Sequence, residues 1–180
     1  SMINKDKIAY YLNVFKELRL EDIYDAWKLI KIVHLEADEI FIQEGSNLKA
    51  VGYIEKGLIR AFTIDAKGEE ITVMLRWEGQ FVASHDNVLF DKPSKYCYQA
   101  VEPTEIIQLN YNILQDIIDR NPKLEKSRKK FLLQMLSESL EMLESFILLS
   151  PEERYLWFIS QNPNIINRVP NKYIAHLLGI

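Results

Sequence analysis

The run Tyr53-Ile54-Glu55-Lys56-Gly57-Leu58-Ile59-Arg60 continues through Asp65-Ala66-Lys67-Gly68 to Glu78-Gly79-Gln80-Phe81, and it decides the fold class. Short apolar segments here are cut at close, even intervals by glycine and small polar residues. Asp65-Ala66-Lys67-Gly68 reads as a hairpin turn joining a strand at Leu58–Ile64 to one at Glu70–Trp77. Five of the six glycines lie between Gly45 and Gly79, at the ends or interiors of such runs. Glycine supplies the positive φ that tight turns need. Strands this short, with this spacing, predict an antiparallel barrel or jelly roll rather than a parallel sheet.

The same texture spreads outward from this core. Glu39-Ile40-Phe41-Ile42 ends at Gly45-Ser46-Asn47, and Ala50 to Ile54 ends at Lys56-Gly57. Further strands are expected at Lys95–Ala100 and Glu105–Leu109, turning at Glu102-Pro103-Thr104. Before Val33 the pattern is helical. Ile8, Tyr11, Leu12 and Phe15 recur at helical spacing, and a second helix from Leu20 to about Ile32 puts Ile23, Trp27 and Ile30 on one face.

After Tyr111 the helical period returns. A short helix, Asn112 to Asp119, stops at Asn121-Pro122. A long one runs from Lys123 to about Leu149 without Gly or Pro. Within it Leu132, Met135, Ser139, Met142, Phe146 and Leu149 alternate spacings of three and four, a heptad seam with one polar position. A neighbouring row, Leu136, Leu140, Leu143 and Ile147, widens the apolar stripe beyond what a two-stranded seam needs. One stripe suits a partner helix and the other the barrel, so a homodimer is expected, with burial of a single helix against its own barrel as the plainer alternative. Ser150-Pro151-Glu152-Glu153 opens another helix, and a last one starts after Val169-Pro170 with Asn171 as its cap.

The fold class expected is α+β: N-terminal helices and a β-roll over 1–121, a dimerisation helix over 122–149, and further helices over 150–180.

Composition narrows the chemistry. The chain has 180 residues, 48% hydrophobic and 27% charged, with a net charge of −4. This is globular composition large enough for its own core. A single cysteine, Cys97, excludes an internal disulfide framework, a four-cysteine iron–sulfur cluster and a cysteine-rich zinc site. It fits a reducing cytoplasm. No apolar run approaches membrane-spanning length, and the first residues lack a signal-peptide pattern. Ser1 ahead of Met2 reads as a scar of tag removal.

Enzyme signals are weak, and no catalytic or metal-binding residue is nominated. His34, His85 and His176 lie far apart, with no His-x-His pair of the cupin type. There is no Gly-x-Ser-x-Gly and no phosphate loop. Cys97, between Tyr96 and Tyr98, reads as a small buried filler rather than a nucleophile. His85, in Ala83-Ser84-His85-Asp86-Asn87, is a candidate ligand contact or haem ligand, weighed against the commoner loop histidine bonded to a neighbouring backbone group. Lys123, Lys126, Arg128, Lys129 and Lys130 against Glu125 form an anion-binding candidate, although a solvated helix start is the simpler reading.

The whole pattern resembles the Crp/Fnr family of bacterial transcription regulators. The residues carrying the resemblance are Gln43-Glu44-Gly45, Tyr53–Arg60, the Asp65-to-Glu69 hairpin and Glu78-Gly79-Gln80-Phe81. More specific are Ser150-Pro151-Glu152-Glu153-Arg154-Tyr155 and Arg168-Val169-Pro170-Asn171-Lys172-Tyr173-Ile174-Ala175-His176-Leu177-Leu178-Gly179-Ile180, similar to the Bacteroidetes-type branch. The resemblance implies a cytoplasmic homodimer that binds duplex DNA, with RNA polymerase as a further partner. It makes the helix ending at Leu178 the first of a helix-turn-helix, with Gly179 opening the turn and the recognition helix expected beyond Ile180.

DNA-binding candidates are Arg168, Asn171 and Lys172. Over residues 151–180, Arg154, Arg168 and Lys172 face Glu152 and Glu153, too small a positive excess for strong phosphate binding alone. Effector-pocket candidates are Phe81, Ala83, Ser84, His85, Ser94 and Lys95. Cyclic-nucleotide-binding members hold ribose and phosphate with a Gly-Glu pair and an Arg. Here those positions read Ala83-Ser84 and Ser94, with Lys95 adjacent, so cyclic AMP binding is not expected to carry over. No cofactor is implied, and the cysteine cluster of the oxygen-sensing members is absent. A cupin-like small-molecule-binding or enzymatic jelly roll is the alternative.

Overall fold

The computed structural model describes residues 20–180. The element order is α1 (Leu20–Leu29), β1 (Lys31–Leu35), β2 (Ile40–Ile42), β3 (Ala50–Lys56), β4 (Leu58–Ile64), β5 (Glu70–Trp77), β6 (Phe81–Val82), α2 (His85–Phe90), β7 (Cys97–Ala100), β8 (Thr104–Asn110), α3 (Tyr111–Asp119), α4 (Pro122–Leu148), α5 (Pro151–Gln161) and α6 (Asn171–Leu178). They fall into two compact units that divide between Arg120 and Asn121.

The first unit is an antiparallel roll, as the glycine-cut runs predict. Its strands form two four-stranded sheets, β1-β8-β3-β6 and β2-β7-β4-β5. One core lies between them. Leu35, Ala50, Ile54, Val82 and Ile106 come from the first sheet, and Ile42, Ile59, Ala61, Tyr98 and Ala100 from the second. These alternate along their strands with residues of the opposite face, the period-two pattern that a sheet facing one core requires. β4 is buried on both faces. Its outer face carries Arg60, whose Nε donates to Gln99 Oε1 at 2.8 Å, Nη1 to Thr72 Oγ1 at 3.2 Å and Nη2 to Glu70 Oε2 at 2.7 Å. A buried cation is tolerated when it is paired and hydrogen-bonded in this way.

The turn chemistry explains the register. Asp65 Oδ1 accepts from the amides of Lys67 and Glu69, both at 2.9 Å, and Gly68 takes φ +82°. The β4–β5 ladder then begins at Ile64 opposite Glu70. Between β3 and β4 a single residue, Gly57 at φ +110°, carries the chain from one sheet to the other. A Cβ on Gly57 would lie 2.6 Å from the Cα of Thr104.

Three expectations are corrected. The second helix was expected to run to about Ile32; it ends at Leu29, because Lys31–Leu35 pairs with β8 from Lys31 opposite Gln108 to Leu35 opposite Thr104. Pairing along a ladder outweighs a weak local helical period. Ile30 therefore lies past the helix end, and Trp27 is 75% exposed. The stretch after Phe81-Val82 is not wholly loop: Ser84 accepts from the Asn87 amide and starts a six-residue helix. Asn171 is the first helical residue of α6 and Pro170 holds the cap position without a side-chain bond. The expected leading helix with Ile8, Tyr11, Leu12 and Phe15 lies outside the described residues, as does the side chain of Ile23.

The second unit, Asn121–Ile180, is helical as expected. α4 has 27 residues with Pro122 in its first turn. Ser150 then starts α5 through a reciprocal capping box: Glu153 N donates to Ser150 Oγ at 3.2 Å and Ser150 N to Glu153 Oε1 at 3.0 Å.

Replacing Gly57 by alanine should lower unfolding free energy by about 3 kcal/mol, since it adds a left-handed backbone penalty to a backbone clash. Urea denaturation checks this, and Gly68→Ala, where a Cβ meets nothing within 4 Å, should cost clearly less.

Candidate functional site

The effector-pocket candidates gather around α2. Ser84 is buried at its start, and Ala83 and Phe81 precede it, partly buried. Asn87, also buried, points back. Its Nδ2 donates to Ser46 O at 2.8 Å and to Lys92 O at 2.7 Å, while its Oδ1 is buried without a protein partner. Ser94 closes the ring: its amide donates to Ser46 O at 2.8 Å, its carbonyl accepts from Gly45 N at 2.8 Å, and its Oγ donates to Tyr96 O at 2.7 Å. The loop after β2 and the loop before β7 are thus stitched together through backbone groups.

Ser94, where the cyclic-nucleotide-binding pattern has Arg, brings no charge. Lys95 is exposed, its amide donates to Asp86 Oδ2 at 3.0 Å, and its Nζ stands 5.9 Å from the Tyr96 ring centroid. No basic side chain thereby replaces the Arg from the same backbone position. His85 is exposed at the start of α2. Crowding by protein lowers its pKa, Arg76 lowers it further, and Asp86 opposes both. An imidazole kept neutral in this way is not a standing positive charge for a phosphate. Among the described residues, no group of three or more His, Cys, Asp or Glu is placed to hold a metal ion.

Two residues of this site escaped the sequence reading. Asn87 belongs to the short helix that was not expected. Tyr98 lies in the core under the site; burial pushes its pKa up to about 12, with Asp86 adding to the rise and a hydrogen bond with Ser84 opposing it. Cys97 is buried beside it, and burial likewise raises its thiol pKa, which fits the filler reading.

The DNA-binding candidates lie in the other unit. Lys172 and Asn171 are exposed in the first turn of α6, and Arg168 is half-buried on the segment before it. α5 and α6 bound an apolar groove of about 400 Å³ lined by Pro151, Tyr155, Ile174, Ala175 and Ile180. Arg154, counted from sequence among the basic residues of the segment, is buried and bonded to main-chain carbonyls, so its charge is withdrawn from the surface.

On α4 the expected seam is unevenly exposed. Met135, Met142 and Leu149 are half-buried, while Leu132, Ser139 and Phe146 are open. The adjacent row is the more exposed. Leu133, Leu136, Leu140, Leu143 and Ile147 again alternate three and four, from 54% to 71% exposed.

Residues 32–121, half of the chain, match the model of the cyclic nucleotide-binding domain. The chain belongs to that family. Electron transport regulator A of Shewanella oneidensis is 29% identical over 168 residues, covering 92% of this chain and 62% of that protein. The anaerobic regulatory protein of Haemophilus influenzae is 24% identical over 152 residues, covering 84% and 56%. FixK2 of Bradyrhizobium japonicum superposes with a TM-score of 0.71 over 84% of this chain and 78% of its own, at 11% identity, a likeness of fold. These matches bear out the Crp/Fnr resemblance and the α+β roll. The chain spans little more than half the length of the two curated relatives.

The buried phenol makes a pH prediction. Because the folded pKa of Tyr98 lies above the ordinary 10, its contribution to stability is whole below pH 10 and is lost as pH climbs toward about 12. The loss is on the order of 2 kcal/mol. Stability followed by circular dichroism should fall less steeply with rising pH in Tyr98→Phe, whose ultraviolet titration should lose a tyrosine that ionises at about 12.

Proposed function

We propose that the chain is the sensor domain, long helix and leading part of the DNA-reading head of a Crp/Fnr-type transcription regulator. The observation that carries this reading is the continuity of a family-matched roll with a long helix bearing an open leucine row and a capped helical head. The two curated relatives are regulators by name, and the protein is read as a non-enzyme. The two curated relatives, regulators by name, and a sequence without a His-x-His pair give the cupin-like alternative no specific support.

The role of each part follows from its chemistry. α4 supplies the homodimer. Its exposed row, Leu133 to Ile147, is the surface a second copy of the same helix would cover, with Leu132, Met135, Ser139, Met142, Phe146 and Leu149 flanking it. α6 lies across the DNA backbone, with Lys172, Arg168 and the amides at Asn171 contacting phosphates. The apolar groove of α5 and α6 is the bed for the following recognition helix, which reads bases. RNA polymerase is a further partner. No helix among the described residues is long and apolar enough to cross a membrane, and the regulator is assigned to the cytoplasm. The effector is not cyclic AMP, because Ser94 is bonded to its own loop, and Ala83-Ser84 offers no ribose-binding carboxylate. The pocket candidates Phe81, Ala83, Ser84, His85, Ser94 and Lys95 would meet a different small molecule or none.

Sedimentation at micromolar concentration should give twice the 21.2 kDa chain mass, and Leu136→Glu with Leu143→Glu should give monomers by placing like charges in the seam. A monomer before mutation overturns the dimer.

Calorimetry with cyclic AMP to ~1 mM should show no binding heat; a micromolar Kd overturns the effector reading.

Gel-shift titration at fixed salt should show weak or no binding by this chain. A version extended through the recognition helix should bind a two-fold-symmetric site with half-sites ~10 base pairs apart. Equal binding by both versions across a randomised pool overturns the regulator reading.

A further inference from the structure

The helices of the second unit converge on one buried cation. Arg154, in α5, is 6% exposed. Its Nε donates to Ser145 O at 3.2 Å, Nη2 to Leu149 O at 3.3 Å and Nη1 to Leu178 O at 2.8 Å. Ser145 and Leu149 belong to the last turn and cap of α4, and Leu178 is the last residue of α6. Leu149 O and Leu178 O are the kind of carbonyl that a helix end leaves without an intrahelical partner, while Ser145 O also accepts from Leu149 N at 3.2 Å; all three stand at the negative end of a helix dipole. Among the described residues no carboxylate forms an ion pair with Arg154. Its guanidinium also lies 4.3 Å from the centroid of the Phe146 ring. Gly179, which caps α6 at φ +66°, rests on the same ring: a Cβ there would come 3.1 Å from Phe146 Cε1.

We infer that Arg154 is a positioning residue, a joint C-terminal cap of α4 and α6 that fixes the orientation of α6 against the end of the long helix. The inference deepens the reading of α5 and α6 as a DNA-reading head, since it names what sets the angle at which that head leaves α4. The planar fork is essential to it. Three N–H groups in fixed directions meet carbonyls from two different helices, which a lysine ammonium on a flexible stem does not reproduce. α5 itself does not need Arg154 to start or to hold its first turn, because Ser150, Pro151 and Glu153 do that. The residue is therefore specific to the relation between helices.

Hydrogen exchange on the whole chain tests this without DNA, so a failure of the regulator reading leaves its outcome untouched. In Arg154→Gln the amides of residues 174–180 should exchange at least about tenfold faster, while those of the first turn of α5 and of β4 and β5 keep their protection. Arg154→Lys should fail to restore protection. Phe146→Ala, which removes the ring and no hydrogen bond, should give a smaller rise in the same segment and serves if Arg154→Gln does not fold. Unchanged exchange at 174–180, full rescue by lysine, or an equal rise throughout α4, α5 and α6 would each overturn the inference.

Discussion

The roll depends on a corner where the chain changes sheets twice at one place. β3 passes into β4 through Gly57 alone, and β7 passes into β8 through residues 101–103. The two crossings are tied at Leu58. Its carbonyl accepts from Val101 N at 2.8 Å and its amide donates to Thr104 Oγ1 at 3.1 Å. Thr104 Oγ1 in turn donates to Glu102 O at 2.7 Å. With both crossings pinned, Ile54 and Ile106 face Ile59 and Ala100 across the core, and all are fully buried. The left-handed backbone at Gly57 is what lets Thr104 come so close.

Around that corner the chain settles its own polar groups locally. Arg60 finds Gln99, Thr72 and Glu70 on the strands beside it. Asn87 Nδ2 and Ser94 N both donate to the Ser46 carbonyl. Such satisfied networks rigidify a fold. They also show why a member of this family can keep the roll while losing the charged groups that would grip a cyclic phosphate: the loop around Ser94 is held by hydrogen bonds to Ser46 and Tyr96, none of which needs an arginine.

The sequence was legible where a local rule and the tertiary arrangement agree. Asp65 to Gly68 carries its own turn, and Ser150 to Glu153 carries its own cap, so neither depends on distant packing. It was illegible where partners distant in sequence decide. Lys31 and Ile32 continue a helical period but pair with Gln108 and Ile107 on β8. Ser84 caps a helix too short to show a period. The effector candidates around Ala83 and Ser94 follow a family pattern, whereas Asn87 and Tyr98 meet this site through side-chain bonds, Asn87 to Ser46 O and Lys92 O and Tyr98 with Ser84, that no local pattern announces. Arg154 looked like one more surface charge. Nothing within its own segment announces that Ser145 and Leu178 will both present carbonyls to it.

The passage from α4 to α5 has a mechanical consequence. Only Leu149 and Ser150 separate the two helices, and Pro151 follows at once. Proline locks its own φ and confines the residue before it to extended backbone; Ser150 accordingly sits at φ −65°, ψ 162°. Nearly all torsional slack at this joint then resides in Leu149, itself extended at φ −106°, ψ 144°. The link behaves as a stiff elbow rather than a tether. A twist applied along α4 reaches α5 with little play, and a large swing requires the last turn of α4 to unwind.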